Sequence, residues 1–426
     1  MVNIKITFLT PHVDISGGVK IILGYADRLA KRGHKVTVIC PQPTLGKGKV
    51  KGVPIIYPKR AVMNLLKYKP NWIEVVANIK YVPSYEERYI PDADIIVAGN
   101  YQSASYVGQY SARKGRKFYL LQHDETLYHG PKNEVLEAYS LPLKKIVVSS
   151  WLKEILKENF KLGSKLIVNP IDFDVFYFTR SNYNKNKRIC MLHHTYEWKG
   201  VSDGIKAFEI AKKKHPEIQL VIFGAHNKVI DYECEYYYKP SKDKLREIYN
   251  SCSIFLCPSW KEGFGLPLAE AMACKCALVT TDNGGCRDYA IHEKTALISP
   301  PKNPEVLAEN LIRLLEDEDL LRKIAQNGYE YIKQFTWDKA VDKMEKIFLE
   351  STDENDKKVM NMKTANFNPS YISHRNDILN LIPNKVKKVL DVGCSIGVLG
   401  EQLKQRFGAE VVGIELDEQM AKVAKE

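Results

Sequence analysis

From Ile4 to Cys40 the chain reads as strand, glycine turn, helix, strand, and this unit restricts the fold more than anything else in it. Ile4, Ile6 and Phe8 alternate with polar residues, which predicts a strand. Gly17 and Gly18 then open a helix with Ile22, Tyr25, Ala26 and Leu29 on one face, and Gly33 ends it. His34–Cys40 is the next strand. Strands joined through a helix run parallel, and a parallel sheet must be covered by helices on both faces. The pattern continues with strands at Asp94–Ala98, Phe118–Gln122 and Lys145–Ser149, predicting one doubly wound domain over residues 1–170.

The same alternation restarts at Arg188–His193. A helix capped by Ser202 carries Ile205, Phe208, Ile210 and Ala211. The strand Ile218–Gly224, the helix Lys242–Asn250 and the strand Ile254–Pro258 follow. The loop KEGFG, the helix LPLAEAMA, strands at Ala277–Thr281 and Thr295–Ile298, and helices to about Glu350 complete a second domain over residues 171–350. Its last helix is free to cross back onto the first domain. The expected fold class is therefore α/β, with two Rossmann-like doubly wound domains facing a cleft. Ser351–Ala365 is polar and apolar-poor and predicts a linker, with a further Rossmann-like segment over residues 366–426.

Composition narrows the function. Charged residues make up 27% and the net charge is +12, which favours anionic partners such as nucleotide diphosphates or a phospholipid surface. No nucleic-acid motif accompanies that charge, so nucleic acid is not expected as a partner. No apolar run reaches the roughly 18 residues of a bilayer span, and the N-terminus lacks the apolar core of a signal peptide. The nine cysteines form no CxxC pair and read as small buried hydrophobes in a reducing, cytoplasmic setting.

The densest chemistry lies in Lys261–Glu270, KEGFGLPLAE. Gly263 and Gly265 let the backbone approach a ligand, with Phe264 between them. Leu266 and Pro267 begin a helix whose free amides suit a diphosphate or sugar hydroxyls. Glu262 stands before this turn, and Glu270 is expected in the first helical turn, within reach of a ribose.

EGFGLPLAEAMACKCALVTTDNGG resembles the donor-site signature of family 4 glycosyltransferases, which have the GT-B fold. The resemblance implies that Glu270 contacts the ribose and that Glu262 binds the donor sugar near its reacting carbon. It also implies an Arg and a Lys, five residues apart, on the diphosphate. Lys199 fits the second, while His194 occupies the place of the first. Either protonated His194 or another cation such as Arg287 would then complete the site. The loop Gly17–Gly18 resembles the family's glycine loop, which approaches donor phosphate or acceptor; a plain tight turn is the alternative. His123, after a buried strand, matches a histidine that faces the reacting sugar in related enzymes.

Catalysis is thus expected from Glu262, His123 and Lys199, with a UDP-, GDP- or other nucleotide-sugar donor. A glycan or lipid-linked hydroxyl would be the acceptor, in surface polysaccharide synthesis. The resemblance implies retention of configuration without a metal. Asp92–Asp94 and Asp317–Asp319 have the look of DxD strings but read as a strand cap and a charged helix. Tyr57–Val82 mixes Lys59, Arg60, Lys67, Lys69 and Lys80 with Val62, Leu65, Leu66, Trp72, Ile73 and Val75. It would lie on an anionic membrane at the cell's inner face, or form an amphipathic helix on its own sheet.

Past residue 366, Asp391, Gly393 and Gly397 follow a strand and open a helix, and Glu415 ends the next strand. This resembles the first motif and ribose-binding acid of class I S-adenosylmethionine-dependent methyltransferases. Roughly 60 residues supply only part of such a sheet, so the segment is expected to be a remnant or fragment that binds no S-adenosylmethionine. A fusion of both activities, and a catalytically silent nucleotide-sugar binder, stand as alternatives.

Overall fold

The computed structural model describes residues 3–41, 46–50, 53–57, 59–127, 130–179, 188–226, 232–363, 376–383, 385–415, 421–422 and 424. The chain divides into two compact units, Met1–Ile347 and Phe348–Glu426.

The first unit holds both large sheets. In its N-terminal half the strands are β1 (Lys5–Leu9), β2 (Lys35–Pro41), the hairpin β3 (Gly46–Val50) and β4 (Val53–Tyr57), β5 (Asn78–Val82), β6 (Ile95–Ala98), β7 (Arg116–Leu121), β8 (Lys144–Val147) and β9 (Ser164–Leu166). The helices are α1 (Gly17–Lys31), α2 (Lys59–Leu65), α3 (Tyr101–Gln109), α4 (Lys132–Ser140) and α5 (Ser150–Phe160). Seven strands pair in parallel in the order β5-β2-β1-β6-β7-β8-β9. The central strands are buried on both faces, as in Ile6, Thr7, Phe8 and Leu9, which is why they read as near-continuous apolar runs.

The C-terminal half repeats the plan with β10 (Arg188–His193), β11 (Gln219–Gly224), β12 (Glu235–Tyr238), β13 (Ile254–Cys257), β14 (Ala277–Thr281) and β15 (Ala296–Ser299). Its helices are α6 (Val201–Lys214), α7 (Lys242–Ser251), α8 (Leu266–Ala273), α9 (Pro304–Glu316), α10 (Glu318–Ile332) and the start of α11 (Trp337–Lys363). The sheet is again parallel, ordered β12-β11-β10-β13-β14-β15. Ile189, Met191, Ile222, Leu256 and Val279 pack against Ala207, Phe208 and Ala211 of α6 and Leu307 and Leu311 of α9. Strand order reverses between β1 and β6 and between β10 and β13, and ligands of such sheets bind at the carboxyl ends of these strands.

Trp337 of α11 lies on α1, where a Cβ on Gly24 would sit 2.3 Å from the indole. Arg28 lies over the same ring, and Arg32 and His34 pair with Glu345. The end of the second domain is therefore tied to the first.

Several sequence expectations are corrected. Residues 351–363, expected as a linker, continue α11, because Glu, Lys and Met form helix readily and no Gly or Pro interrupts Trp337–Lys363. Residues 364–375 lie outside the described residues. The cap of α6 is Gly200, in a left-handed conformation, rather than Ser202, which sits inside the helix. Among the described residues of Tyr57–Val82 only Lys59–Leu65 is helical, and Asn78–Val82 forms an edge strand of the sheet.

The second unit contains α12 (Asn376–Leu379), β16 (Lys388–Val392), α13 (Val398–Phe407) and β17 (Glu410–Ile414). β16 and β17 form a two-stranded parallel sheet. Leu390, Val392, Val412 and Ile414 are exposed on it.

Candidate functional site

The loops after β10 and β13, at the reversal of the second sheet, are stitched together. Trp260 N–H donates to Trp198 O over 2.7 Å, and Trp260 Nε1 donates to Asp203 over 2.7 Å. Gly200 lets this loop close: its φ is +62°, and a Cβ there would meet Pro258 O at 2.2 Å. Lys199, immediately before it, thereby reaches Glu262, with Nζ 2.7 Å and 2.9 Å from the two carboxylate oxygens.

Glu262 is itself fixed by its backbone. Its N–H donates to Asn283 O over 2.9 Å, so the NGG turn after β14 braces it. Gly265 has φ +83° and caps α8, and Tyr289 Oη donates to the carbonyls of Phe264 and Gly265. Burial raises the Glu262 carboxyl, but the charge and hydrogen bonds of Lys199, with Ser259, outweigh it and hold the group below its usual value. Glu262 is thus an ionised, buried carboxylate beside a lysine. A recess lined by Leu192, Lys199, Cys257, Ser259, Glu262 and Pro267 opens at this point.

Glu270 is the fifth residue of α8, just past the first turn where it was expected, and is also buried. Lys20 of α1 places Nζ 2.5 Å from its Oε1, and Tyr249 Oη lies 3.4 Å from its Oε2. The sequence reading overlooked Lys20; a cation three residues past Gly17, on the helix opened by the glycine turn, was the available signal.

The first sheet contributes the facing wall. Gly17 stands against Leu266, where a Cβ would lie 3.5 Å from its Cδ1, and Gln122 Nε2 donates to Gly18 O over 3.0 Å. Gly263 is pressed against the loop after β7, since a Cβ there would sit 1.9 Å from Gln122 O and 3.1 Å from His123 Cα. His123 and Glu262 are close enough for each to shift the other's titration. Burial depresses the His123 imidazole, so it is neutral near pH 7. Its Nδ1 lies 3.1 Å from Asp124 O. Burial also pushes the neighbouring Glu125 up to about 7, where its carboxylate accepts from Tyr101 N–H and Tyr119 Oη.

His194 and Arg287, the two candidates for the place of the expected arginine, both have partners in this structure. Burial, then the Lys199 charge, pushes His194 down to about 4, and its Nδ1 accepts the Tyr196 N–H over 3.1 Å. It is therefore a neutral acceptor. Arg287 makes two 2.8 Å bonds to Asp282, which engage its guanidinium at the surface. Asp92 pairs with Lys114, and Asp317 caps α10. Among the described residues no cluster of three or more His, Cys, Asp or Glu could hold a metal.

In the second unit, Gly393 and Gly397 adopt φ of +77° and +83°, and Gly393 N–H donates to Ile414 O. Glu415 Oε2 accepts the Ser395 N–H over 2.6 Å, so the expected ribose acid is engaged by its own loop. Asp391 Oδ2 is buried without a partner. Among the described residues this unit has one two-stranded sheet, with Leu390, Val392, Val412 and Ile414 exposed on it.

Comparison with known proteins agrees with the two large domains. Residues 15–175 match Glycosyltransferase Family 4 and residues 178–331 match Glycosyl transferases group 1, so each of the two large domains matches a glycosyltransferase model. An uncharacterised glycosyltransferase of Methanocaldococcus jannaschii is 28% identical over 49% of this chain and 60% of its own length. The capsular polysaccharide biosynthesis glycosyltransferase CapM of Staphylococcus aureus is 25% identical over 56% of this chain and 68% of its own. Anabaena HepE, solved in complex with UDP and glucose, superposes with a TM-score of 0.63 at 13% identity, over 82% of this chain and all of that one. The fold is GT-B.

Proposed function

We propose that the chain transfers a sugar, with retention, from a nucleoside-diphosphate donor to a hydroxyl of a glycan or lipid-linked acceptor. The observation that carries this reading is the pair of buried Glu262 and half-buried Lys199 at the carboxyl ends of β13 and β10, beside the start of α8. A carboxylate for the sugar, a cation for phosphate and helix amides between them form the set that an activated sugar requires. The acceptor hydroxyl attacks on the face that the nucleotide leaves, and the departing phosphate oxygen takes its proton. The protein positions the reactants and stabilises the phosphates, with His123 facing the sugar. The similarity to CapM, a capsular polysaccharide biosynthesis glycosyltransferase, supports surface polysaccharide synthesis as the setting.

The test is a release assay over UDP-, GDP- and ADP-sugars, with calorimetry on the matching diphosphates and on S-adenosylmethionine. Release from one donor series and no heat with S-adenosylmethionine are expected. No release and no diphosphate binding would overturn the reading in favour of a chain without transferase activity.

A lipid-linked acceptor is favoured by the segment around α2. Leu65 and Leu66 are 83% and 70% exposed, beside exposed Val62 and Tyr68. Among the described residues no helix is long and apolar enough to cross a membrane, so contact would be peripheral. Lys69 and Lys80 donate to backbone carbonyls. The full chain is expected to float with vesicles containing an anionic lipid. Leu65→Ser with Leu66→Ser should abolish flotation, and wild-type chain remaining in the pellet at low salt would sink the idea.

A further inference from the structure

We propose that Lys20 is the second diphosphate-binding cation of the donor site, supplying the charge that His194 does not. This rests on the donor-site reading above. Of the cations near that site, Lys20 and Lys242 both reach Glu270 with their charge, and Lys20 is the one hydrogen-bonded to it. Lys199 is bidentate on Glu262, Arg287 is bidentate on Asp282, and Lys261 lies over the Trp151 ring. His194 accepts a backbone N–H and carries no charge at neutral pH.

Lys20 comes from the opposite domain. It stands in the first turn of α1, and Gly17 at the head of that helix abuts Leu266 at the head of α8. Two helix N-termini therefore meet here, both favouring an anion. The Lys20 ammonium sits over the Phe176 ring, 4.7 Å from its centroid, and 2.5 Å from Glu270 Oε1. Glu270 is the carboxylate assigned to the ribose. When ribose hydroxyls engage it, Oε1 is shared, and the ammonium swings on its flexible stem to the neighbouring phosphates. The pair thus keeps both groups extended toward the donor, and one donor molecule engages both. Because Lys20 and Glu270 belong to different domains, the same diphosphate bridges the cleft.

The experiment is calorimetry of the full chain with UDP, GDP and ADP, and with uridine, guanosine and adenosine. For the diphosphate that wild type binds, Lys20→Met should weaken affinity about ten- to a hundredfold, the range of a lost charge-assisted hydrogen bond. Affinity for the matching nucleoside should stay unchanged or rise, because Glu270 is freed. Lys20→Arg should restore most of the diphosphate affinity, which also separates the effect from misfolding. Equal weakening of nucleoside and diphosphate would overturn the proposal and leave Lys20 as a positioner of Glu270. Unchanged diphosphate affinity would overturn it outright. A wild type that binds none of the diphosphates would remove the donor-site reading itself, and this inference with it.

Discussion

Replacing Glu262 with glutamine is expected to lower sugar transfer by about 10³-fold at saturating donor and to destabilise the fold. Glutamine keeps the shape, so both losses come from charge. Lys199 holds both carboxylate oxygens at 2.7 Å and 2.9 Å, and the two side chains are largely buried. Removing one member of such a pair leaves the other charge uncompensated, at a cost of about 3–5 kcal/mol. The catalytic loss reflects a fixed charge beside the reacting carbon, where preorganised electrostatics are worth about 10²–10³-fold. The loss of Lys199 alignment on phosphate adds to it. Lys199→Met should damage the site comparably, and the double variant should be far less impaired than the sum of the two. Initial rates and thermal melts of the three variants check this. A Glu262→Gln enzyme within tenfold of wild type would remove the carboxylate from the chemistry.

How much of this was legible depended on how local each signal was. The helix α8 was readable to the residue because Gly265 and Pro267 mark its start and apolar residues fill it on either side of Glu270. β10 and β14 were equally plain, being buried on both faces. β12 was missed because Glu235–Tyr238 is an edge strand of half-exposed aromatics, without alternation or an apolar run. The helical reading of residues 351–363 was lost to their polarity, although polar helix formers propagate a helix already begun at Trp337. At the site, Glu262 and Lys199 were visible because each sits in a short motif at a strand end. Lys20 was not, since its meaning comes from Glu270, 250 residues away in sequence. The protonation state of His194 was likewise invisible, being set by burial and by Lys199.

The glycine in the same loop carries the other large effect. Gly263→Ala should reduce turnover by about 10²-fold while leaving nucleoside-diphosphate affinity within a few-fold of wild type. Its φ is not in the left-handed region, so the backbone tolerates alanine, and the conflict is one of space. The new Cβ would lie 1.9 Å from Gln122 O and 2.9 Å from Gln122 C. Both are backbone atoms, so the loop after β7 must retreat by more than 1 Å or so, and His123 retreats with it. A displacement of that size at a reacting centre costs about 10²-fold. Overpacking should also cost roughly 1–3 kcal/mol of stability. Lys199 and Glu262 hold each other directly, and Lys20 and Glu270 feel the shift only through the Gln122–Gly18 bond at the head of α1, so diphosphate affinity should fall at most a few-fold. Gly163→Ala is the control, because nothing lies within 4 Å of its Cβ position. Steady-state kinetics that separate kcat from donor KM, run beside a diphosphate titration, decide the matter. An unchanged kcat would mean that the approach of the two domains at Gly263 does not position His123 for transfer.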